Sequence, residues 1–211
     1  ASGDENTALV FRHLETLSRT DQAALIGFGK KHNLWIYTQG RGYESVHRIY
    51  PEAQLDLDFL TYSNREFDLE FDFAPFDFVQ VNHEVNSALV SDVVSGLGIR
   101  SEDRIIDLFC GLGNITLPLA RRCSSVCGIE LSTTSVDRAR HNAKKNHLQV
   151  DFFAGNLYES PVKELLPKPL RNPNKLVIDP PRLGIGQKIV ENICGVERIV
   201  YISCSPASFS K

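Results

Sequence analysis

The length, composition and charge of this chain are those of an ordinary globular protein. It has 211 residues, of which 42% are hydrophobic and 23% charged, and its formal net charge is -3. This length is enough for one full domain and a smaller one. The negative net charge excludes binding to nucleic acid through the field of the whole molecule, so such a partner would need a local basic patch.

No segment of the sequence predicts insertion into a membrane or binding of a metal. No apolar run approaches the length of about 20 residues that a membrane-spanning helix needs, and the first residues lack the features of a signal peptide. We therefore expect a cytoplasmic protein without a membrane partner. The five cysteines have spacings that fit neither a zinc ribbon nor an iron–sulfur motif. Cys123 and Cys127 flank the start of a predicted strand and are expected to be structural.

Residues 1–73 predict a small α+β domain. The expected elements are strands at residues 8–11 and 34–37, a helix at residues 21–31, and alternating segments around residues 56–60 and 67–71. The alternating segments are typical of a sheet with one face toward water. Residues 73–76 interrupt the alternation, so we place the domain boundary between residues 73 and 74.

Residues 74–211 predict an α/β domain built on a doubly wound, mainly parallel sheet. A helical period begins at Asn82 and ends near Gly98, and its expected apolar face consists of Val85, Leu89, Val93 and Val94. Apolar strands then alternate with helical stretches, with strands expected at residues 104–108, 125–129, 150–153, 175–178 and 199–203. This alternation is typical of a doubly wound parallel sheet.

The first strand of this sheet leads into a glycine turn at residues 107–114. Gly111 and Gly113 allow the backbone to approach a ligand closely, and the following helix offers unpaired N–H groups. Thr116 stands where the third glycine of a dinucleotide-binding pattern would fall, so binding of a pyrophosphate is disfavoured. The turn alone is weak support for a ligand, because many such turns only pack a helix onto a sheet.

Polar side chains follow the next strands of the predicted sheet. Glu130 ends the second strand, where a carboxylate either binds the two hydroxyls of a ribose or merely caps a helix. Asn156 follows the third strand, and its amide has the groups needed to read an adenine edge. Asp179 follows the fourth strand within the sequence Asp-Pro-Pro-Arg, which ends at Arg182.

Cys204 follows the fifth apolar strand, at the sheet edge where reacting groups collect in open α/β proteins. A lone thiol there is either a small buried hydrophobic residue or a covalent nucleophile.

Taken together, these segments resemble class I S-adenosylmethionine-dependent methyltransferases, and among them the RNA uracil-5 methyltransferases. The resemblance rests on three stretches: residues 78–82 (FVQVN), 107–114 (DLFCGLGN) and 203–207 (SCSPA). Residues 10–37 are more similar to the bacterial 23S rRNA branch of that family than to its tRNA branch. The fold that this implies is a Rossmann-like methyltransferase domain with a small amino-terminal α+β domain.

The resemblance implies transfer of a methyl group from S-adenosylmethionine to C5 of a uridine in RNA, with 23S rRNA as the expected substrate and tRNA as the alternative. Cys204 would be the nucleophile that adds to C6 of the uracil. Asp179 would bind the base or hold Cys204, and Arg182 would stabilise the thiolate or remain an ordinary solvated arginine. The cofactor-binding residues that it implies are Gln80, Phe109, Gly111, Gly113, Asn114, Glu130, Asn156 and Asp179.

The family also has parts that this chain lacks. They are an amino-terminal oligonucleotide-binding barrel, the cysteine cluster that holds an iron–sulfur centre in the rRNA branch, and the last two strands of the sheet with the carboxylate that takes the C5 proton. An iron–sulfur cluster is therefore expected only in a full-length parent. The 211-residue chain alone is expected to be inactive, since a general base contributes about 10²–10⁴-fold.

Two other functions remain as alternatives. The Asp-Pro-Pro sequence at Asp179 resembles the loop with which amino-methyltransferases hold an amine, although Arg182 stands where those enzymes usually have an aromatic residue. A non-catalytic RNA-binding module is the third candidate, and its basic and aromatic residues would be Arg121, Arg122, those of residues 138–145, and Arg41 with Tyr43.

Overall fold

The computed structural model describes residues 1–42, 45–52, 59–193 and 195–203. The chain forms two compact units. The first consists of Ala1–Ser63 and Asp72–Val81, and the second of Asn64–Phe71 and Asn82–Lys211. The chain therefore passes between the units more than once, because Asn64–Phe71 belongs to the second unit and Asp72–Val81 to the first. The single boundary expected between residues 73 and 74 stays a prediction.

The first unit contains a three-stranded sheet of order β1-β2-β3. Its elements are β1 (Ala8–Arg12), α1 (Arg19–His32), β2 (Trp35–Gln39) and β3 (His47–Tyr50). β1 and β2 run parallel, as a strand, helix and strand in succession require, and β3 is antiparallel to β2. The sequence predicts β1, α1 and β2 to within a few residues, and it misses β3.

Helix α1 begins and ends with side-chain and backbone signals that are local in the sequence. The Ser18 hydroxyl accepts a hydrogen bond from the Asp21 amide at 3.1 Å, and the Asp21 carboxylate accepts one from the Ser18 amide at 3.0 Å. This capping box satisfies two of the amides that a helix leaves unpaired at its start. At the other end Asn33 adopts a left-handed conformation with φ of 52° and closes the last turn.

One aromatic side chain of the first unit is paired with a cation. The guanidinium carbon of Arg48 lies 4.9 Å from the centre of the Trp35 ring, within the range of a cation–π interaction. Trp35 opens β2 and Arg48 lies in the antiparallel β3, so the contact ties neighbouring strands together.

A β-hairpin follows, with β4 (Leu60–Asn64) and β5 (Leu69–Phe73) joined through a short helical turn at Arg65–Phe67. β5 matches the alternating segment expected around residues 67–71, with a shift of two residues. Of the segment expected around residues 56–60, residues 56–58 lie outside the described part of the chain. Asp68 ends the helical turn in a left-handed conformation with φ of 51°, which turns the chain into β5.

The second unit contains a five-stranded parallel sheet of order β10-β9-β6-β7-β8. The strands are β6 (Arg104–Leu108), β7 (Ser125–Glu130), β8 (Asp151–Ala154), β9 (Lys175–Ile178) and β10 (Arg198–Tyr201). The helices are α2 (His83–Leu97), α3 (Thr116–Ala120), α4 (Thr133–Lys145), α5 (Val162–Leu165) and α6 (Gln187–Asn192). The doubly wound parallel sheet expected from the sequence is confirmed.

Helices cover both faces of this sheet. Successive residues of a strand point to opposite faces, so β6 directs Ile106 and Leu108 to one side and Asp107 to the other. Ile106 and Leu108 belong to a buried cluster with residues of the α5 and α6 region, including Val162 and Ile189. Burial on both faces explains why these strands are continuous apolar runs in the sequence rather than alternating ones.

The apolar face expected for α2 is correct at Val93, which is buried, and wrong at Val85. The buried residues of this helix are Asn86, Val90, Val93 and Leu97, whereas Val85 is 63% exposed. The prediction assigned the face by hydrophobicity alone, and the structure instead buries an asparagine that hydrogen-bonds to the glycine turn.

A buried ion pair lies at the amino-terminal end of the sheet. Lys175, the first residue of β9, contacts the carboxylate of Asp103, which immediately precedes β6, and the two side chains are 4% and 1% exposed. Asp103 also accepts hydrogen bonds from the Arg100 amide at 2.6 Å and from the Asn174 side chain at 2.7 Å. Burial by itself would raise the pKa of Asp103, but these donors outweigh it and hold the pKa at about 2.

The described cysteines are packed as small core residues. Cys110, Cys123 and Cys127 are buried free thiols, and burial raises the pKa of Cys127 to about 12. The Cys123 thiol donates to the Asp103 carbonyl at 2.9 Å. The burial agrees with the structural role expected for Cys123 and Cys127. Within the described ranges, no helix has both the length and the apolar character needed to span a membrane.

Candidate functional site

The carboxyl ends of the parallel strands form one edge of the sheet, where their following loops meet. The chain runs outward from β6 through β7 to β8 and then returns to β9 on the other side of β6. This reversal makes a crevice between the loops after β6 and β9, which is where ligands bind in open α/β sheets. The amide of Asp179, just after β9, donates to the Leu108 carbonyl at 3.3 Å and so joins these loops.

The glycine turn after β6 contains three residues with positive φ angles, namely Phe109, Gly111 and Gly113. Phe109 has a φ of 65°, and its amide donates to the Ile129 carbonyl of β7 at 2.9 Å. Gly111 has a φ of 54°, and a Cβ built there would meet no atom of the described residues within 4 Å, whereas one at Gly113 would lie 3.3 Å from Leu117. Gly113 therefore serves the packing of the turn, while Gly111 exposes backbone to open space where a ligand can approach.

Glu130 at the end of β7 holds the loops around it. One of its carboxylate oxygens accepts a hydrogen bond from the Gly111 amide at 3.2 Å, and the other accepts one from the Ser132 amide at 3.0 Å. Ser132 in turn caps α4, where its side chain accepts from the Ser135 amide. Glu130 thus has the loop-capping role that the sequence left open, and carboxylate oxygens retain lone pairs for further donors.

Asp107 is the most deeply buried acid at this edge. It is 1% exposed, and one carboxylate oxygen accepts a hydrogen bond from the Thr116 hydroxyl at 2.6 Å. Within the described part of the chain its other oxygen, Oδ1, has no hydrogen-bond partner. Burial, together with the negative charges of Asp179 and Glu130, raises the pKa of Asp107 to about 7, although the hydrogen bond from Thr116 opposes the rise.

Asp179 completes a group of three acids. Burial raises its pKa to about 6. The negative charges of Glu130 and Asp179 disfavour ionisation of Asp107, and a cation beside these carboxylates would favour it. The edge of the sheet is therefore suited to a positively charged ligand and unsuited to a phosphate.

The side chain of Asn114 is paired with Asn86 of α2. Each amide donates to the carbonyl oxygen of the other, at 2.8 and 2.9 Å. The pair fixes the end of the glycine turn against α2, so Asn114 has a structural role alongside the cofactor contact expected for it.

The loops after β8 and β9 carry the remaining polar residues. The Asn156 side-chain oxygen accepts from the Tyr158 amide at 3.0 Å. Arg182 is exposed in the turn that follows Asp179.

The structure brings most of the predicted site residues to one edge of the second unit. These residues are Phe109, Gly111, Gly113, Asn114, Glu130, Asn156, Asp179 and Arg182. Gln80 belongs to the first compact unit, close to its end at Val81. Cys204 lies outside the described residues, which reach Ser203 in this part of the chain.

The sequence motifs did not single out Asp107 or Asn86 as candidate site residues. Asp107 opens the glycine motif and carried a signal, because an acid within an apolar strand needs a reason to be buried. Asn86 lies within a helical period, and no local pattern distinguishes it from an exposed asparagine.

Other features of the second unit lie away from this edge. A groove of about 740 Å³ near the amino ends of β7 and β8 is lined in part by Cys123, Arg140, Lys144 and Asp151. No group of three or more potential metal ligands occurs among the residues that the structure describes.

Several basic residues considered for a non-catalytic RNA-binding module are engaged within the second unit. Arg121 donates to the carbonyl groups of Phe67 and Asp68, and Lys145 pairs with Glu70 at 3.2 Å. These contacts occupy donor groups of Arg121 and Lys145 that a nucleic acid would otherwise use.

Comparison with protein families supplies a match over most of the chain. The model of the tRNA (uracil-5-)-methyltransferase family matches residues 7–154 and 170–211. The chain is 40% identical over 212 residues to the 23S rRNA (uracil(1939)-C(5))-methyltransferase RlmD of Xylella fastidiosa. It is 38% identical over 215 residues to the protein of that name from Francisella tularensis subsp. novicida. These alignments cover 100% of the chain but only 46% and 47% of the relatives, so the chain spans about half their length.

Solved structures share the fold at lower sequence identity. The tRNA (uracil-54, C5)-methyltransferase of Pyrococcus abyssi, solved in complex with S-adenosyl-L-homocysteine, superposes with a TM-score of 0.72 at 22% identity, over 99% of this chain and 50% of that one. Trm5b of Pyrococcus abyssi gives a TM-score of 0.55 at 15% identity, over 92% of this chain and 55% of that one. The expected Rossmann-like class I methyltransferase fold is therefore confirmed.

Proposed function

The chain belongs to the tRNA (uracil-5-)-methyltransferase family, and we propose that its protein methylates C5 of a uridine in RNA with S-adenosylmethionine as the methyl donor. The observation that carries the proposal is the acid-lined carboxyl edge of the sheet, combined with the Cys204 sequence that follows β10. The relatives named for 23S rRNA favour rRNA over tRNA as the substrate. Action on ribosomal RNA would place the protein in the cytoplasm.

The residues present fit the methyl donor. S-adenosylmethionine, when bound, supplies a methyl group on a positively charged sulfur, which C5 of the uracil takes. The carboxylates of Asp107, Glu130 and Asp179 complement a cation, and the unpartnered Asp107 Oδ1 offers a buried acceptor. Gly111 leaves room for close approach of the ligand to the backbone. Gln80, Phe109, Gly113, Asn114 and Asn156 complete the proposed binding set.

Cys204 performs the covalent step in this proposal. Uracil C5 is a poor nucleophile, and addition of the Cys204 thiolate to C6 makes an enolate whose electrons reach C5. After methylation of C5, removal of its proton restores the C5–C6 double bond and expels the thiolate. An ordinary thiol has a pKa of about 8.5, and the proposal gives Arg182 the role of favouring the thiolate. Asp179 would bind the base or hold Cys204 in position.

A mechanism-based trap tests the proposal directly. The full-length protein is incubated with S-adenosylmethionine and RNA in which 5-fluorouridine replaces uridine. Fluorine at C5 cannot leave as a proton, so the adduct on the thiol persists. We expect mass spectrometry to locate the adduct on Cys204, and rRNA fragments to be methylated faster than tRNA.

Two cysteine variants complete this experiment. Cys204→Ala should abolish methylation of uridine, whereas Cys123→Ser should retain it, because a serine hydroxyl can replace the buried donor to the Asp103 carbonyl. An adduct on another cysteine, or methylation that survives Cys204→Ala, would contradict the assignment. Survival of methyl transfer in that variant would instead favour an amine acceptor held by the Asp179 loop.

A further inference from the structure

Tyr158, in the loop after β8, contacts the other two loops of the proposed cofactor site. Its ring lies against Phe109 of the glycine turn, with 5.8 Å between ring centres and 52° between ring planes. Its hydroxyl donates to the Gly184 carbonyl, beyond Asp179, at 2.7 Å. Its own amide donates to Asn156. One half-buried side chain thus joins the loops after β6, β8 and β9.

The hydroxyl of Tyr158 holds a tight turn at Pro181–Gly184. The Gly184 amide donates to the Pro181 carbonyl at 2.8 Å, and Gly184 has a φ of 75°, which favours glycine. A Cβ at Gly186 would lie 3.3 Å from the Tyr158 ring, so the chain passes close to this ring. The Lys188 ammonium adds a hydrogen bond to the Glu159 carbonyl between the same two loops.

The turn directs two different side chains outward. Arg182 is exposed, and Leu183 is 87% exposed despite its apolar side chain. An arginine beside an exposed apolar residue suits RNA, in which phosphates attract the cation and unstacked bases accept apolar contacts. A turn already held in one conformation loses less entropy when it binds.

We propose that Tyr158 is a positioning residue for the RNA substrate: it holds the Pro181–Gly184 turn so that Arg182 and Leu183 contact RNA beside the target uridine. This inference rests on the proposed function. Tyr158 touches neither reacting atom and acts through the turn. Its removal should therefore affect the use of RNA more than the binding of the cofactor.

The first test is kinetic and uses the full-length protein. Tyr158→Phe keeps the ring contact with Phe109 and removes only the hydrogen bond to Gly184. We expect the KM for RNA to rise about 3–10-fold, as loss of one hydrogen bond allows. The affinity for S-adenosyl-L-homocysteine should change less than about twofold, and a fall in kcat would report the effect of the same turn on the thiolate through Arg182. Tyr50→Phe, in the first unit, is the matched control and should leave all three unchanged.

A double-mutant cycle asks whether Tyr158 acts through the turn. If it does, Leu183→Ala should raise the KM for RNA in the wild-type background but add little in the Tyr158→Phe background. Amide hydrogen exchange over residues 182–186 should be faster in Tyr158→Phe than in the wild type. Additive effects of the two substitutions, unchanged exchange, or equal losses of cofactor and RNA binding would each overturn the inference.

The proposed function and this inference fail in different ways. A wild-type protein that methylates no RNA would overturn the function and the inference with it. A wild-type protein that methylates uridine, with a Tyr158→Phe variant indistinguishable from it, would overturn the inference alone.

Discussion

Among single residues, Asp107 has a cost of ionisation that the rest of the site explains. It lies within an apolar strand, is 1% exposed, and has one oxygen without a partner among the described residues. A carboxyl group retained in such surroundings lowers the stability of the folded chain whenever it ionises. Binding of the proposed cationic cofactor would stabilise the ionised carboxylate, which explains why an acid stands at this position.

Replacement of this acid should stabilise the protein at high pH. An acid whose folded pKa is raised contributes stability below its unfolded pKa of about 4 and loses it as the pH rises through about 7. The free energy of unfolding of Asp107→Asn minus that of the wild type should therefore increase by about 2–3 kcal/mol when the pH is raised from about 5 to about 8. Urea unfolding at both pH values measures this gain.

The exposed Asp92→Asn is the control for Asp107→Asn, and its difference from the wild type should stay constant with pH. Calorimetry at pH about 8 should show weaker binding of S-adenosylmethionine to Asp107→Asn, since a negative charge that attracts the cationic sulfur is gone. A constant stability difference between Asp107→Asn and the wild type would refute the burial argument.

At the scale of elements, the packing of the glycine turn onto β7 leaves no space for a side chain at Gly128. A Cβ there would lie 2.6 Å from the Cys110 sulfur and 2.8 Å from the Phe152 ring. Both neighbours belong to the core, so neither can move without disturbing other contacts.

Two glycine-to-alanine substitutions should therefore have opposite effects. Gly128→Ala should lower the free energy of unfolding by about 1–3 kcal/mol through overpacking. Gly27→Ala, inside α1 where no atom of the described part of the chain lies within 4 Å of the new methyl group, should raise it by about 0.5–1 kcal/mol. Chemical unfolding followed by circular dichroism compares them, and destabilisation by both would show that the contacts at Gly128 are not the cause.

The sequence predicted the strands of the parallel sheet because each is an apolar run buried on both faces. It missed β3 because His-Arg-Ile-Tyr is short and has no such apolar run, although the strand pairs with the neighbouring β2. It misplaced the buried face of α2 because Asn86 is buried by a partner 28 residues away. Long-range pairing of polar groups leaves no local signal.

The candidate site was predictable where parallel topology determines it. Carboxyl ends of parallel strands meet at one edge, so residues as far apart as Glu130 and Asp179 were expected together. The hydrogen bond from Tyr158 to Gly184 was not predictable, because it depends on the conformations of two loops. Nor was the pairing of Asn114, whose amide bonds to another side chain.

For the molecule as a whole, the ion pair of Asp103 and Lys175 makes the free energy of unfolding depend on pH. The pair lies at the end of the sheet opposite the site. A carboxyl group with a lowered pKa contributes stability above its unfolded pKa of about 4 and loses it as the pH falls through about 2. We expect the wild type to lose about 2 kcal/mol over this range through Asp103 alone.

The variant Asp103→Asn/Lys175→Met tests this expectation, because it removes both charges together and leaves neither one buried alone. Its free energy of unfolding should fall less steeply with acid than that of the wild type. Urea titrations at several pH values between about 4.5 and 2.5 compare the two profiles. Parallel profiles would assign the acid sensitivity to other carboxyl groups.

The pairing of Arg48 with Trp35 has a practical consequence for such experiments. Trp35 is the single tryptophan of the 211-residue chain and lies in the first compact unit. Its emission is therefore an intrinsic optical reporter of that unit, whereas protection by S-adenosyl-L-homocysteine would act on the acid-lined edge of the second. If cofactor shifts the fluorescence transition as far as it shifts the circular dichroism transition, the two units unfold as one cooperative body. If only the circular dichroism transition shifts, each unit has a melting temperature of its own.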